Sequence, residues 1–385
     1  MHIPDYYGGS IVNLMASLQQ GLGGQPHAYP QHRLLPAEKV SKYRQVFLWV
    51  IDGLGLNHLC AEPDAVHLNR HLLGGMTSVY PPTTASAITT YLTGDAPQQH
   101  ALTGWHIYFR ELGACIAVLP GTPRYGGVSL KQAGINVRSL LGTTPFTERF
   151  PGPSAALSPA YITDSDFNQC HLGASHLLSH RNLTELRDNA VQLLRKGGHR
   201  YLLAYWPELD TIGHSEGIWS EAARHHLLEL DRCFGEIVEQ SQDTNTLIIV
   251  CADHGQIDTE ASDRLSLDDH PQLTEYLSLP LCGESRSAYC YLRPGTENAF
   301  DDYVKSQLSS EMSIYPSSEL IERGWFGLAE PHPELHHRIG DRLLLMKSHY
   351  TLNDWLPQER RHELIGVHGG LSEDELLVPL IVVAN

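Results

Sequence analysis

Three stretches of this chain are apolar almost without interruption and run into an aspartate. They are QVFLWVID at 45–52, RYLLAYW at 200–206 just ahead of Asp210, and TLIIVCAD at 246–253. Continuous Val-, Ile- and Leu-rich runs of this kind predict strands covered on both faces, because half-exposed strands would alternate. Between the second and the third, IWSEAARHHLLELDRCFGEIVEQ at 218–240 carries apolar residues at helical spacing. The strand, helix, strand order predicts an α/β fold with an open, mostly parallel sheet sandwiched by helices. ACIAVLP at 114–120 and TELRDNAVQLLRK at 184–196 predict a further strand and helix of the same architecture. Such sheets bind ligands beyond the carboxyl ends of their strands, where Asp52, Asp210 and Asp253 fall.

Residues 1–44 are rich in Gly, Pro and His, and with one short helix expected at IVNLMASLQQ they read as a lead-in segment. From 276 to 346 the pattern shortens into a strand SAYCYLRP, a helix ENAFDDYVKSQLSS, a strand MSIYP, a helix SELIERG and a run DRLLLMK. That alternation predicts a small inserted α/β cap at 276–346 on a core made of 1–275 and 347–385. The chain returns to the core through HELIGVHGG and ends on the apolar LLVPLIVVA.

The 385 residues, 42% hydrophobic and 18% charged, allow a large core of ordinary globular character. A formal charge of −17 excludes a long nucleic acid as partner, because phosphate neutralisation needs clustered Lys and Arg. A small phosphate ester is still admissible, since bound divalent cations reverse the local field in a pocket. The seven cysteines are odd in number and none stands in a C-x-x-C pair, which points to reduced thiols. The N-terminal stretch has no basic region followed by an apolar one, and no apolar run is long enough for a membrane span. A cytoplasmic address without membrane attachment is expected.

Candidate chemistry gathers at the strand ends. D-T-I-G-H, Asp210 to His214, spaces two ligand types four residues apart; A-D-H-G sets Asp253 beside His254; V-H-G-G places His368 before two glycines that permit sharp redirection. With Asp52 these are three carboxylates and three histidines, the ligand types that zinc and related divalent ions take. Six of them suffice for two metals beside a hydroxyl nucleophile. In YPPTTASAITTYLTG at 80–94 two prolines stop a strand and ASAITTYL begins a helix, which leaves Thr83 and Thr84 at its N-terminus. Free amides and the positive dipole end there suit a phosphoryl or sulfuryl group. His225 and His226 in the long helix, and His336 and His337 in a polar stretch, read as solvated.

Together, WVIDGLG, PPTTASAITTYLTG with APQQH following, ELDTIGHSEG, CADHG and GVHGG with VPL after it resemble the alkaline phosphatase superfamily, most closely its type I phosphodiesterase and nucleotide pyrophosphatase branch. The pieces run in the family's order over about 50–380. The resemblance implies an alkaline-phosphatase-like fold and two divalent metals, usually zinc. It implies that Asp210, His214 and His368 hold one ion, and that Asp52, Asp253, His254 and the hydroxyl of Thr84 hold the other. Counting back from Thr93-Gly94 then favours Thr84 over Thr83 as nucleophile. One departure is plain: where the branch carries an asparagine that binds a phosphate oxygen, counting from His100 arrives at Trp105, which has one donor and no acceptor. Trp105, His106 and Arg110 are the candidate substrate contacts, with Tyr108 beside them, unless TGWHIYFR is a packing segment.

The reaction implied is hydrolysis of a small phosphate ester, phosphodiesterase- or nucleotide pyrophosphatase-like, through a phosphothreonine intermediate. Relatives acting on phosphomonoesters, phosphonates or other transferase substrates are the alternatives. A sulfatase reading lacks the C-x-P-x-R or S-x-P-x-R motif, and a mutase reading meets Thr where Ser is expected. A non-catalytic metal-binding relative is the remaining reading.

Overall fold

A computed structural model describes every residue except Met1, Gln358, Arg360 and His362; the last of these, at the head of HELIGVHGG, therefore lies outside the described residues. The main sheet has seven strands in the order Leu72–Thr77, Leu377–Ala384, Thr246–Cys251, Gln45–Ile51, Tyr201–Trp206, Ser154–Pro159, His176–His180. Gln45–Ile51 lies at the centre, parallel to Tyr201–Trp206 on one side and Thr246–Cys251 on the other. Every residue of Gln45–Ile51 and of Thr246–Cys251 is buried, as their unbroken apolar composition requires. Ser154–Pro159 and His176–His180 extend the parallel side, while on the other side Leu377–Ala384 runs antiparallel to both its neighbours, Thr246–Cys251 and the edge strand Leu72–Thr77. The chain's first strand is thus the centre of the sheet, and connections leave it in both directions. That is the position at which an open α/β sheet forms a crevice.

The segment 1–44 is more than a lead-in. The helix Ile11–Gly21 is buried on nearly every residue and contributes Ile11, Leu14, Met15 and Leu18 to the main core. Its buried polar residues find partners in the loops that fold over it. Asn13 Nδ2 donates to the carbonyls of Tyr6 and Pro30, and Ser17 Oγ accepts from the His32 amide.

ACIAVLP does not join the parallel sheet. Ala114–Ala117 turns back on His106–Phe109 as an antiparallel hairpin, with Ile107 opposite Ile116. A parallel partner would need a crossover of roughly a dozen residues or more, whereas the hairpin needs only the short 110–113 link. The hairpin belongs to a second, antiparallel sheet ordered Met312–Pro316, Arg342–Met346, Ser287–Cys290, Cys282–Glu284, His106–Phe109, Ala114–Ala117, Thr122–Pro123. Strands from 276–346 are therefore continued by strands from 106–123. Phe300 and Val304 of the helix Glu297–Gln307 pack with Ala288 and Leu344 on this sheet. Among the described residues, no helix is long and apolar enough to cross a membrane.

Candidate active site

Two neighbouring parallel strands set the first pair of carboxylates. Val50 pairs with Cys251, so Asp52 and Asp253, each just past its strand, emerge side by side. Gly53, at φ 76, turns the chain away at once and sends its amide to Asp253 Oδ1 at 3.2 Å. The His254 amide binds the same oxygen at 2.9 Å. Asp210 and His214 do not sit on a strand-end loop. They lie one turn apart on the helix Glu208–Glu216, which begins just past Tyr201–Trp206, with Asp210 Oδ2 3.2 Å from His214 Nε2. His368 follows the two-residue strand Gly366–Val367, which pairs with Ile257–Asp258 just beyond His254.

The histidines converge. The rings of His254 and His368 stack with centroids 3.8 Å apart, and His214 lies 5.2 Å from His368. Each turns Nδ1 to a backbone carbonyl: His214 to Gly366 at 2.7 Å, His254 to Gly255 at 3.1 Å and His368 to Pro82 at 3.2 Å. A nitrogen facing a carbonyl carries the proton, so in the neutral form of each ring Nε2 is the atom left to face a cation. Asp210, His254 and His368 form one group whose ligand atoms lie within 4.8 Å of one another, and Asp52, Asp253 and His254 form another. His254 stands between the two groups, and His214 joins through Asp210.

Electrostatics fit a missing positive charge. Burial, reinforced by Asp253 and Asp210, pushes the Asp52 carboxyl well above the usual range, and burial also raises Asp253. Asp52 Oδ1 and Asp253 Oδ2 are fully buried and accept no hydrogen bond; His254 Nε2, at 3.3 and 3.5 Å, is in reach of both. Buried, unpaired carboxylate oxygens are costly unless a cation covers them. Burial works against charge on Asp210 as well, yet His214 overcomes it and holds that carboxyl low. Burial works against a proton on His214, but Asp210 raises it to about 9. Burial, with His254, drives His368 well below its usual value.

Thr84 opens the helix Thr84–Thr93 with its hydroxyl 3.2 Å from His254 Nε2 and 3.5 Å from Asp52 Oδ2. Thr83 is the residue before the helix, but its hydroxyl caps nothing and donates instead to Glu284 Oε1 at 2.6 Å. The structure thus brings Asp52, Thr84, Asp210, His214, Asp253, His254 and His368 into one site. Trp105 reaches it through its backbone, whose amide donates to Glu284 Oε1 at 2.7 Å, while the residue as a whole is 41% exposed. His106 is a poorly basic ring, lowered to about 4 by burial and by Arg124. Arg110 is committed to Glu334 at 2.8 Å.

Several participants carried no sequence signal. Tyr205, which reads as one more apolar residue of RYLLAYW, donates its phenol to Asp52 Oδ2. Gln256 Nε2 donates to the carbonyl and the carboxylate of Asp210. Glu284, at the end of Cys282–Glu284, has a carboxyl raised by burial to about 7, with His254 and His214 close enough to pull it back down. His226, expected to be solvated, is buried against Trp206, whose Nε1 donates to its Nε2 at 2.9 Å.

The family described as type I phosphodiesterase / nucleotide pyrophosphatase matches residues 48–371. The 2,3-bisphosphoglycerate-independent phosphoglycerate mutase of Staphylococcus haemolyticus (strain JCSC1435) is 31% identical over 97 residues, which is 25% of this chain and 18% of the mutase. The mutase of Gracilaria tenuistipitata var. liui is 25% identical over 75 residues, 20% of this chain and 14% of its own length. The chain thus covers less than a fifth of either mutase. Murine ectonucleotide pyrophosphatase / phosphodiesterase 5 superposes with a TM-score of 0.65 at 17% identity over 87% of each chain. The human protein gives 0.65 at 16% identity, covering 88% of this chain and 87% of its own. An inactive threonine-to-alanine variant of the murine protein in complex with AMP gives 0.64 at 17% identity over 88% and 87%. At these identities the likeness is one of fold.

Proposed function

The chain belongs to the type I phosphodiesterase / nucleotide pyrophosphatase family, and from that premise we propose that it hydrolyses small phosphate esters with Thr84 as nucleophile and two divalent metal ions in the Asp/His groups. That it is a phosphodiesterase/pyrophosphatase-type enzyme follows from the family; the nucleophile, the metals and their identity as zinc are our reading. The observation that carries it is the Thr84 hydroxyl, held at a helix N-terminus within 3.5 Å of His254 and Asp52, beside buried carboxylate oxygens without partners.

When bound, the two ions supply Lewis-acid stabilisation and lower the pKa of a nearby hydroxyl. This chain's own residues do the rest. Thr84 Oγ1 attacks phosphorus, its proton leaves toward the solvated side of the site, and the leaving alkoxide or phosphate departs opposite. Water then hydrolyses the phosphothreonine and restores the hydroxyl. The free amides at the start of Thr84–Thr93 face the phosphoryl oxygens as preorganised donors. Tyr205 and Gln256 hold Asp52 and Asp210 in orientation. The inactive murine protein of this fold differs from its parent by a threonine-to-alanine change, which accords with a threonine nucleophile. All seven cysteines are free, which supports a reducing, cytoplasmic setting.

The test is Thr84→Ala on zinc-loaded protein with chromogenic mono- and diesters. Turnover is expected to vanish while bound metal, measured by elemental analysis, stays within error of the parent. Full activity in the variant would overturn the nucleophile, and a parent that binds no divalent ion at neutral pH would overturn the metal reading.

A further inference from the structure

Glu284 is bonded to the residue just before Thr84 in a way the hydrolytic scheme does not use. Its Oε1 is saturated by two donors, Thr83 Oγ1 at 2.6 Å and the Trp105 amide at 2.7 Å. Thr83 is the residue before Thr84, so these bonds fix the carboxylate next to the nucleophile. The stem is held too: a methyl group on Gly369, next to His368, would come within 2.8 Å of Glu284 Cβ. Among the described residues Oε2 has no hydrogen-bond partner, and it is not sealed from solvent, while His254 and His214 are near enough to act on the carboxyl. A carboxylate oxygen fixed and left open is an acceptor awaiting a donor, and it repels an anionic oxygen placed against it.

We propose that Glu284 is a specificity-determining residue: its free oxygen accepts a hydrogen bond from a hydroxyl or ammonium group on the substrate's second ester arm, and its charge turns away phosphate monoester dianions. A monoester would bring a charged phosphoryl oxygen to the place where a diester brings its arm. The substrate class is therefore a phosphodiester whose non-leaving arm carries a donor a few bonds from the ester oxygen. This proposal rests on the esterase reading above and deepens it.

Zinc-loaded protein is assayed at about pH 8.5, where the Glu284 carboxyl, raised to about 7, is ionised, with p-nitrophenyl diesters in matched pairs, 2-aminoethyl against ethyl and 3-hydroxypropyl against propyl, and with p-nitrophenyl phosphate. The parent is expected to favour the donor arm in at least one pair by about tenfold or more in kcat/KM, the size of a hydrogen bond to a charged group. The pair with the larger ratio names the donor. Glu284→Gln should collapse the aminoethyl ratio toward one and raise p-nitrophenyl phosphate relative to the ethyl diester; Glu284→Ala should abolish the hydroxypropyl ratio as well. Because the readout is a ratio within one protein, partial misfolding leaves it unmoved. Equal ratios in parent and Glu284→Ala would overturn the proposal. If the parent cleaves no ester at all, the esterase reading fails, and calorimetry decides Glu284 separately. Tighter binding of ethyl 2-aminoethyl phosphate than of diethyl phosphate, lost in Glu284→Gln, supports the role; equal binding overturns it.

Discussion

The residues proposed here as ligands, which the structure brings together, stand beside plain local signals: Asp52 and Asp253 end apolar runs, His254 and His368 precede glycines. Tyr205, Gln256 and Glu284 do not, since each acquires its role from a residue far away in the chain. Asp52 is 153 positions from Tyr205, and Thr83 is 201 positions from Glu284. Tyr205 tests how much such supporting groups matter. Its phenol fills one side of Asp52 Oδ2 and leaves the other oxygen to a cation. Tyr205→Phe keeps the ring and removes the bond, so zinc affinity should fall by about 10–100-fold, as for other partners of metal ligands. Competition with a chromogenic chelator measures this, and an unchanged affinity would remove Tyr205 from the site.

Elements rather than residues explain how D-T-I-G-H, which follows a strand end, works as part of a helix. Asp210 and His214 face one site because four residues make about one turn, and a side chain at position 213 would displace the Gln256 amide that holds Asp210. A Cβ there would lie 1.9 Å from Gln256 Oε1. The loop that carries His368 is fixed by a second device, which no local pattern revealed. Arg286 Nε and Nη2 each donate to Glu375 at 2.9 Å, Glu375 Oε1 accepts the Gly370 amide at 2.7 Å, and Arg286 Nη1 holds the Tyr350 carbonyl. Both side chains are buried. Arg286→Ala strands a buried carboxylate and should cost about 3–5 kcal/mol in urea denaturation; a loss under 1 kcal/mol, on the order of a surface pair, would refute the role. Burial alone would raise the Glu375 carboxyl, but Arg286, Ser372 and the Gly370 amide hold it below its ordinary 4.5. On acidification the unfolded chain takes up that proton first. The pair's stabilisation is thus complete above 4.5 and drains away as pH falls through the lower folded value. Acidification should accordingly cost the parent more stability than the Arg286→Ala variant, and equal losses would contradict the assignment.

At the scale of the whole molecule, the parallel half of the main sheet could be read from three apolar runs, but the second sheet could not. Its neighbours Cys282–Glu284 and His106–Phe109 lie far apart in the chain, and short strands of three or four residues carry too little periodicity to announce a partner. That pairing brings Trp105 and Glu284 to the main-sheet crevice, so the site closes only when both sheets are in place. Metal should therefore report on global stability. Without a cation, Asp52 and Asp253 are carboxyls raised above their ordinary 3.8. Such groups bind more protons folded than unfolded, so their contribution worsens as pH rises through and beyond that value. A bound ion replaces those protons and removes the penalty. At a hundredfold excess of free zinc over Kd the gain is roughly 2.7 kcal/mol for each ion bound. With an unfolding entropy near 2.1 cal/mol/K per residue over 385 residues, that is about 3 °C in Tm. Chelation at about pH 7.5 should lower Tm by this order and zinc should restore it. At about pH 5 the shift should shrink, because protons compete for the same aspartates and histidines. A melting temperature indifferent to chelator and zinc at the higher pH would mean that the buried carboxylates are neutralised by something other than metal.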